Sequence, residues 1–580
     1  MITVRPPRVE RVPAREADAR SSIPIAVGPV TSYNTSMINM RTFAFALALM
    51  MATSAAAQDH EHGASTSEQL GTVSFATSCN SAAQPRFNRA VALLHSFEFG
   101  RATAAFTSTL EADPSCAVAE WGIALSAWGN PFGVGTRPAA TLTQGRDAVE
   151  RARRLAPKTE RERAYVDAVA QLYEHVDTIE QRARLVAYRD AMAKIASTNP
   201  ADSEAAIFHA LAISAVAAAS PLDPSYAEPL KAGAILEKLI ATRPDHPGLA
   251  HYIIHSYDYP ALADRALEAA RRYAKIAPDS PHARHMPSHT FTRVGYWQES
   301  IDANVASGAV ARRDGVVGEE LHSMDYRTYA YLQTAQDAKA RAMVDALPEV
   351  AGRFNPNGPA SAAPNSAAFF AIAAIPARYA LERGAWAEAV ALEPRPTSYP
   401  YTEALTYTAR ALGAAHTGNP AVIKASIDAL QRISETLTAQ KEGYWAEQTD
   451  IQRREATAWL AMAEGRTAEA VAAMRAVAAL EDRTEKSAVT PGPLAPAREL
   501  LGEMLLQLNQ PADALKEFEA TLKKEPNRFR AVSGAARAAA AAGDRAKART
   551  YYGQLLKICE RADTPGRPEL IEARTAVARR

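Results

Sequence analysis

A 34-residue rhythm constrains this 580-residue chain more than any other feature of its sequence. A small residue is followed four positions later by a second apolar residue, usually a large one, and eight positions after that by proline. The pattern recurs as Ala102/Phe106/Pro114, Ala232/Leu236/Pro244, Ala266/Ala270/Pro278 and Ala514/Phe518/Pro526, with Pro244 and Pro278 34 residues apart. Trp121-Gly122, Gly502 with Leu505, and Gly534 followed by Ala546 mark a second helix type that alternates with the first. Small side chains let paired helices approach closely, and proline ends a helix because it has no N–H to donate. One such match is weak evidence; several in register at both ends of the chain specify stacked helical hairpins.

Between these repeats the segments GRDAVERARRLAPKTERERAYVDAVAQLY, QTDIQRREATAWLAMAEG and RTAEAVAAMRAVAALEDR keep apolar residues at spacings of three and four, without strand-like alternation. The expected fold is all-α: an open α-solenoid of tetratricopeptide-like helix-turn-helix repeats coiled into a right-handed superhelix. FNPNGPASAAPNS (354–366) and TEKSAVTPGPLAP (484–496) read as breaks. They divide the chain into a solenoid over 75–352, a loop over 353–366, middle repeats over 367–483, a linker over 484–497, a final repeat pair over 498–560 and a tail over 561–580.

The amino terminus reads as addressing. After a Pro- and Arg-bearing stretch without hydrophobic period, Met40-Arg41 opens the apolar run TFAFALALMMATSAAA. That run ends in the small-residue triplet before residue 58, as a secretory signal over 40–57 would. Residues 1–57 are thus an over-called extension plus signal, residues 58–74 form a flexible mature terminus, and the expected location is periplasmic or secreted. Lys+Arg (65) and Asp+Glu (64) nearly cancel, so nucleic acid is not an expected partner. No apolar run reaches the roughly 18 residues of a spanning helix. Of three cysteines, Cys79 and Cys116 bracket one repeat length, and an oxidising compartment permits a bridge between them, leaving Cys559 odd.

Seven of the 13 histidines, His246 to His322, fall within 77 residues. With Pro247 and Pro281 as first positions of successive repeats, His251 and His255 occupy positions 5 and 9, and His285 and His289 repeat them. Asp258 continues the first stripe at position 12 and His282 begins the second at position 2. His322 and Asp325 follow on the next helix. Pro287 falls inside this pattern, where proline breaks or kinks a helix. Two chemistries suit the stripe. Imidazoles from stacked helices, with Asp258 or with His322 and Asp325, suit a transition metal such as zinc or copper, the core set being His251, His255, Asp258, His285 and His289. Alternatively, histidines and tyrosines form a hydrogen-bonded polar groove for a peptide end or a small polar ligand.

The stretch DHPGLAHYIIHSYDYPALADRAL…AARRYAKIAPDSPHARHMPSHTFTRVGYWQES, with LHSMDYRTYAYLQTAQDAKARA after it, resembles a group of secreted bacterial tetratricopeptide-repeat proteins of uncharacterised function. The resemblance extends over most of residues 74–540. In such repeats positions 2, 5, 9 and 12 of the first helix line a concave groove, which implies a binding surface of His251, His255, Asp258, His282, His285 and His289; His322 and Asp325 on the next helix are added to the expected groove. One departure stands out: Ser487-Ala488 replaces an expected His-Pro pair before TPGP. No phosphate loop, nucleophile elbow or HExxH motif is present, since HYIIH and HMPSH lack the glutamate. The leading expectation is therefore an exported, non-enzymatic binding scaffold for a protein, peptide or small polar ligand. A metal-binding protein or metal-dependent enzyme is the alternative.

Overall fold

The computed structural model describes residues 68–578 except 134, 359 and 360, so the 40–57 segment expected to be a signal lies outside the described residues. The described chain is a tetratricopeptide-like α-solenoid, helix after helix joined by short turns with no strand among the described residues. Successive helices pack as antiparallel hairpins: Ala83–His95 on Phe99–Ala112, Ala117–Trp128 on Ala139–Leu155, and so on to Phe529–Ala541 on Arg545–Ile558.

The repeat signature has a direct packing cause. Phe106 and Phe518, the large residues of the repeated pattern, are 0% and 1% exposed. Each ring lies flat against a glycine of a neighbouring helix. A Cβ on Gly502 would sit 2.8 Å from Cζ of Phe518, and one on Gly122 or Gly534 would overlap the rings of Phe106 and Phe518. Pro247 and Pro281 open their helices as expected, and Ser280 caps the second by accepting from the Ala283 N–H at 3.2 Å.

The stack is not open. The C-terminal repeats return onto the middle of the chain: Trp297 Nε1 donates to the Asn527 carbonyl at 2.8 Å, and the Phe529 N–H donates to Gln333 Oε1 at 2.8 Å. Arg567 pairs with Asp337 at 2.6 Å, and Asn130 Nδ2 donates to the Ala362 carbonyl at 3.0 Å. The solenoid stands as expected, but the expectation that its stack is open is corrected here, because buried and part-buried polar contacts between repeats distant in sequence close the coil on itself. The segment expected as a linker is also interior: Thr490 and Gly492 are buried, and Arg378, itself 0% exposed, donates to Thr490 Oγ1 and to the Gly492 carbonyl, both at 2.8 Å. Residues 568–578 of the expected tail form a helix.

Cys79 and Cys116 are joined as a disulfide with Cα atoms 5.0 Å apart, across 37 residues of sequence. Closing a loop of that length stabilises by about 3–4 kcal/mol on the chain-entropy model. Cys79→Ser with Cys116→Ser should therefore lower the unfolding free energy by roughly that amount, and denaturant melts with equal midpoints would contradict it. The remaining thiol behaves differently. Cys559 is 5% exposed, and burial pushes its thiol up to about 12. Because the thiolate is the nucleophile, native protein at pH 8 should resist iodoacetamide and acquire one adduct only after denaturation. Rapid labelling of the native chain would contradict this.

Candidate metal centre

Four short elements bring the histidines together. The Pro247–Ser256 helix carries His251 and His255, and Asp258 follows its end. Pro287 splits the next repeat helix into Pro281–His285 and Pro287–Arg293, with Met286 between them, so His282 and His285 lie on one piece and His289 on the other. The Val317–Gln333 helix supplies His322, Asp325 and Tyr326. Despite the break, six imidazoles converge into two triads, His251/His255/His282 and His285/His289/His322. Within each triad the ligand-capable nitrogens lie within 4.8 Å of one another.

These side chains do not line an open concave wall, as the repeat register implied. His251 and His285 are 0% exposed and none of the six exceeds 6%. Their cover comes from distant sequence. The Phe97 ring lies 4.4 Å from His251, Phe132 stacks on His255 at 4.0 Å, and Tyr273 stacks on His251 at 5.0 Å. From the other side Tyr326 donates its hydroxyl to the Thr490 carbonyl at 3.2 Å, holding the 484–496 segment over the cluster. A peptide laid along the stripe would have no room. A cavity reaching His255 and Asp258 between Tyr226, Tyr259, Lys486 and Ser487 provides the approach.

Hydrogen-bond partners determine which ring nitrogens carry protons. His285 Nδ1 lies 2.7 Å from Asn304 Oδ1, and Asn304 Nδ2 donates to the Ser300 carbonyl, so the oxygen faces the ring and Nδ1 must donate. His289 Nδ1 lies 3.1 Å from Asp258 Oδ2 and donates to it. Each neutral ring is then left with a bare lone pair on Nε2. Those two nitrogens face each other at 3.0 Å. The Tyr326 hydroxyl, 3.3 Å from His289 Nε2, has a single proton, for which the Thr490 carbonyl at 3.2 Å competes, so it satisfies at most one of the two. In the other triad His251 Nδ1 donates to the His95 carbonyl at 2.6 Å, and His251 Nε2 faces His282 Nε2 at 3.1 Å. Buried nitrogens without partners complete the picture: His255 Nε2, His282 Nδ1 and His322 Nδ1. Four ligand nitrogens around a tetrahedral ion, at about 2.0–2.1 Å from it, stand about 3.3 Å apart. The two facing Nε2 pairs, at 3.0 and 3.1 Å, are close to that value, and the remaining nitrogens of each triad lie within 4.8 Å.

Charge follows from burial. Desolvation pushes His251, His255 and His285 well below the ordinary imidazole value, His289 to about 4 and His322 to about 3. At neutral pH these rings are uncharged, the form in which imidazole ligates metal. Asp258, 13% exposed, stays ionised: burial opposes its charge, but Lys486 at 3.4 Å and Arg293 at 2.9 Å hold it well below the usual carboxylate range.

The two carboxylates expected among the ligands take other roles. Asp258 faces Nδ1 of His289, away from the Nε2 pair, and so orients that ring instead of binding beside it. Asp325 pairs with Arg378 at 2.9 Å, both 0% exposed, and anchors the 490–493 turn. His246, the seventh histidine of the cluster, is elsewhere. It shares the Glu204 carboxylate with His95, at 3.0 and 2.9 Å, in a hydrogen-bonded bridge. Four contributors escaped sequence reading: the His95 carbonyl, Asn304, Arg293 and Lys486. Arg293 and Asn304 follow the histidine motif closely. The other two lie over 150 and 200 residues from their partners and carry no local signal. Ser487-Ala488, where the resemblance departs from its pattern, borders the cavity that reaches His255.

No protein-family model and no curated protein matches the chain. Among solved structures it is similar to Cut9 in the APC/C assembly with Hcn1, at 12% identity and a TM-score of 0.33, covering 86% of this chain and 89% of that one. It is similar also to human IFIT1 in complex with m7Gppp-AAAA, at 11% identity and a TM-score of 0.32, covering 76% of this chain and 90% of that one. Similarity at this level transfers no function.

Proposed function

We propose that this protein is a metal-binding repeat scaffold whose buried histidine core holds a transition-metal ion of the zinc or copper class. The His285/His289/His322 triad is its principal site, and His251/His255/His282 accommodates a second ion. One observation carries the reading: two imidazole nitrogens, each obliged to present a lone pair, point at each other from 3.0 Å inside the protein. Without a shared cation, the two lone pairs repel each other, and the Tyr326 hydroxyl satisfies at most one of them. A metal ion satisfies both. Asp258 and Asn304 then act as the outer hydrogen-bond partners that fix ligand tautomers in metal sites. With the 40–57 segment read as an export signal, capture would take place outside the cytoplasm.

The test is elemental analysis of untagged protein purified without chelator, followed by calorimetric titration of the stripped protein with zinc and copper. The expected result is one to two equivalents bound per chain. Absence of both native metal and a tight site would eliminate the proposal. A second reading, capture of a small polar ligand, draws on the cavity that opens on His255 and Asp258, and it would survive that outcome.

A further inference from the structure

A separate cavity lies behind the Asp258 ion network, where the Gly443–Ala463 helix faces the 484–496 segment and the end of the Pro511–Lys524 helix. Phe370, Tyr444 and Trp445 supply its apolar lining, and Glu455, on the same helix as Trp445, joins Glu481 and Glu525 in lining it with carboxyl groups. Glu455 is 3% and Glu525 6% exposed, and neither side chain has a hydrogen-bond or ion-pair partner among the described residues. Glu481 has one, the Ala497 N–H at 2.8 Å. Two further groups in the same lining are orphaned, since Gln448 Nε2 and Gln452 Oε1 are buried without partners.

The cations bordering the cavity make their direct contacts elsewhere, although the charges of Arg293, Lys486 and Lys524 still act on Glu525 through space. Arg293 binds Asp258 and Glu485, and Lys486 binds Asp258. Lys524 donates to the carbonyls of Thr484 and Glu481 at 2.9 and 3.3 Å, and Arg498 pairs with Asp482 and Glu517. Native interiors rarely leave several polar groups unpaired around one space, and here they converge on a cavity with an aromatic wall. What fits is a molecule that brings its own positive charge, N–H donors for carboxylates, and an apolar body for the rings.

We propose that this cavity binds a small primary organic ammonium, its charged nitrogen facing the unpaired Glu455 and Glu525 carboxyl groups and its aliphatic body against Phe370 and Trp445. The rival state is a cavity holding only water. Burial pushes Glu455 well above, and Glu525 above, the ordinary carboxylate value, which favours their protonated forms in that state. Glutamine is then an isosteric and well-tolerated substitute.

The test uses the full chain and n-butylammonium as the probe, with n-butanol and butyrate as neutral and anionic controls, read by calorimetry and by Trp445-sensitive fluorescence. Saturable binding of the ammonium is expected, with both controls at least ten-fold weaker. Glu455→Gln with Glu525→Gln should weaken the ammonium at least ten-fold while leaving helical content and zinc stoichiometry unchanged. Trp445→Phe should abolish the fluorescence response while the calorimetric signal persists. No saturable ammonium binding, equal binding of butanol, or undiminished binding by the double variant would each overturn the proposal. None of these results depends on whether the histidine core holds metal.

Discussion

Replacing His285 and His289 together by alanine should remove one equivalent of bound zinc per chain and with it most of the metal-dependent stability. These residues supply the two Nε2 atoms that face each other at 3.0 Å, so no single remaining imidazole of that triad holds an ion with comparable strength. A ligand bound only by the folded state stabilises it by about 4 kcal/mol when free ligand exceeds its dissociation constant a thousand-fold. Wild-type protein should therefore show a zinc-dependent rise in unfolding free energy of that order. The double variant should retain only what the His251/His255/His282 triad contributes. Circular dichroism without metal should match wild type, since helix formation does not depend on these side chains. Asp258→Asn provides a graded comparison. It keeps the shape of the group that orients His289 but removes its charge, and losing such an outer partner typically weakens metal binding about 10–100-fold. Unchanged zinc stoichiometry in His285→Ala/His289→Ala would locate any bound metal elsewhere.

Arg528→Met should destabilise the protein by about 3–5 kcal/mol. The guanidinium is 0% exposed. It donates from Nε to Glu499 at 2.7 Å and from Nη1 to the Tyr329 hydroxyl at 3.0 Å, and its Nη2 pairs with Glu382 at 2.8 Å. Four helices meet at this one side chain: Phe529–Ala541, which it precedes, Ala497–Gln507, Asn365–Glu382 and Val317–Gln333. Methionine fills similar volume but leaves Glu382 without its paired cation and Glu499 with only Arg530, at 3.4 Å. The cost of breaking a buried network by removing one partner exceeds what the intact network contributes, so replacing Glu382 and Glu499 by glutamine in the same chain should recover much of the loss. Denaturant melts of the three proteins provide the measurement. A loss below 1 kcal/mol for Arg528→Met would show that water or rearrangement compensates the acids.

How much was legible beforehand follows from the range of the interactions involved. Helix–helix pairing depends on side chains three, four and 34 residues apart, and these repeat visibly along the chain. Ala102 with Phe106, Gly122 against Phe106, and Pro247 with Pro281 announced the helical hairpins, and each plays the predicted packing or capping part. Convergence of His251, His255, His285 and His289 was likewise a matter of register. Stacking aligns equivalent positions, and the kink at Met286 shifted the pieces without dispersing the rings.

Only the tertiary structure decided what surrounds those rings. Phe97, Phe132 and the 484–496 segment enclose them, the His95 carbonyl and Asn304 set their tautomers, and Lys486 and Arg293 keep Asp258 charged. His95 lies 156 residues before His251 and Lys486 228 after Asp258, separations for which sequence carries no periodic trace. The same applies to the closure of the coil through Trp297 with Asn527 and Arg567 with Asp337. Local spacing determines which face a side chain takes, because one helix turn repeats along its own axis. Whether that face meets water, another helix or a folded-back loop depends on where the rest of the chain runs. That placement turned an expected open groove into an enclosed cluster of uncharged imidazoles.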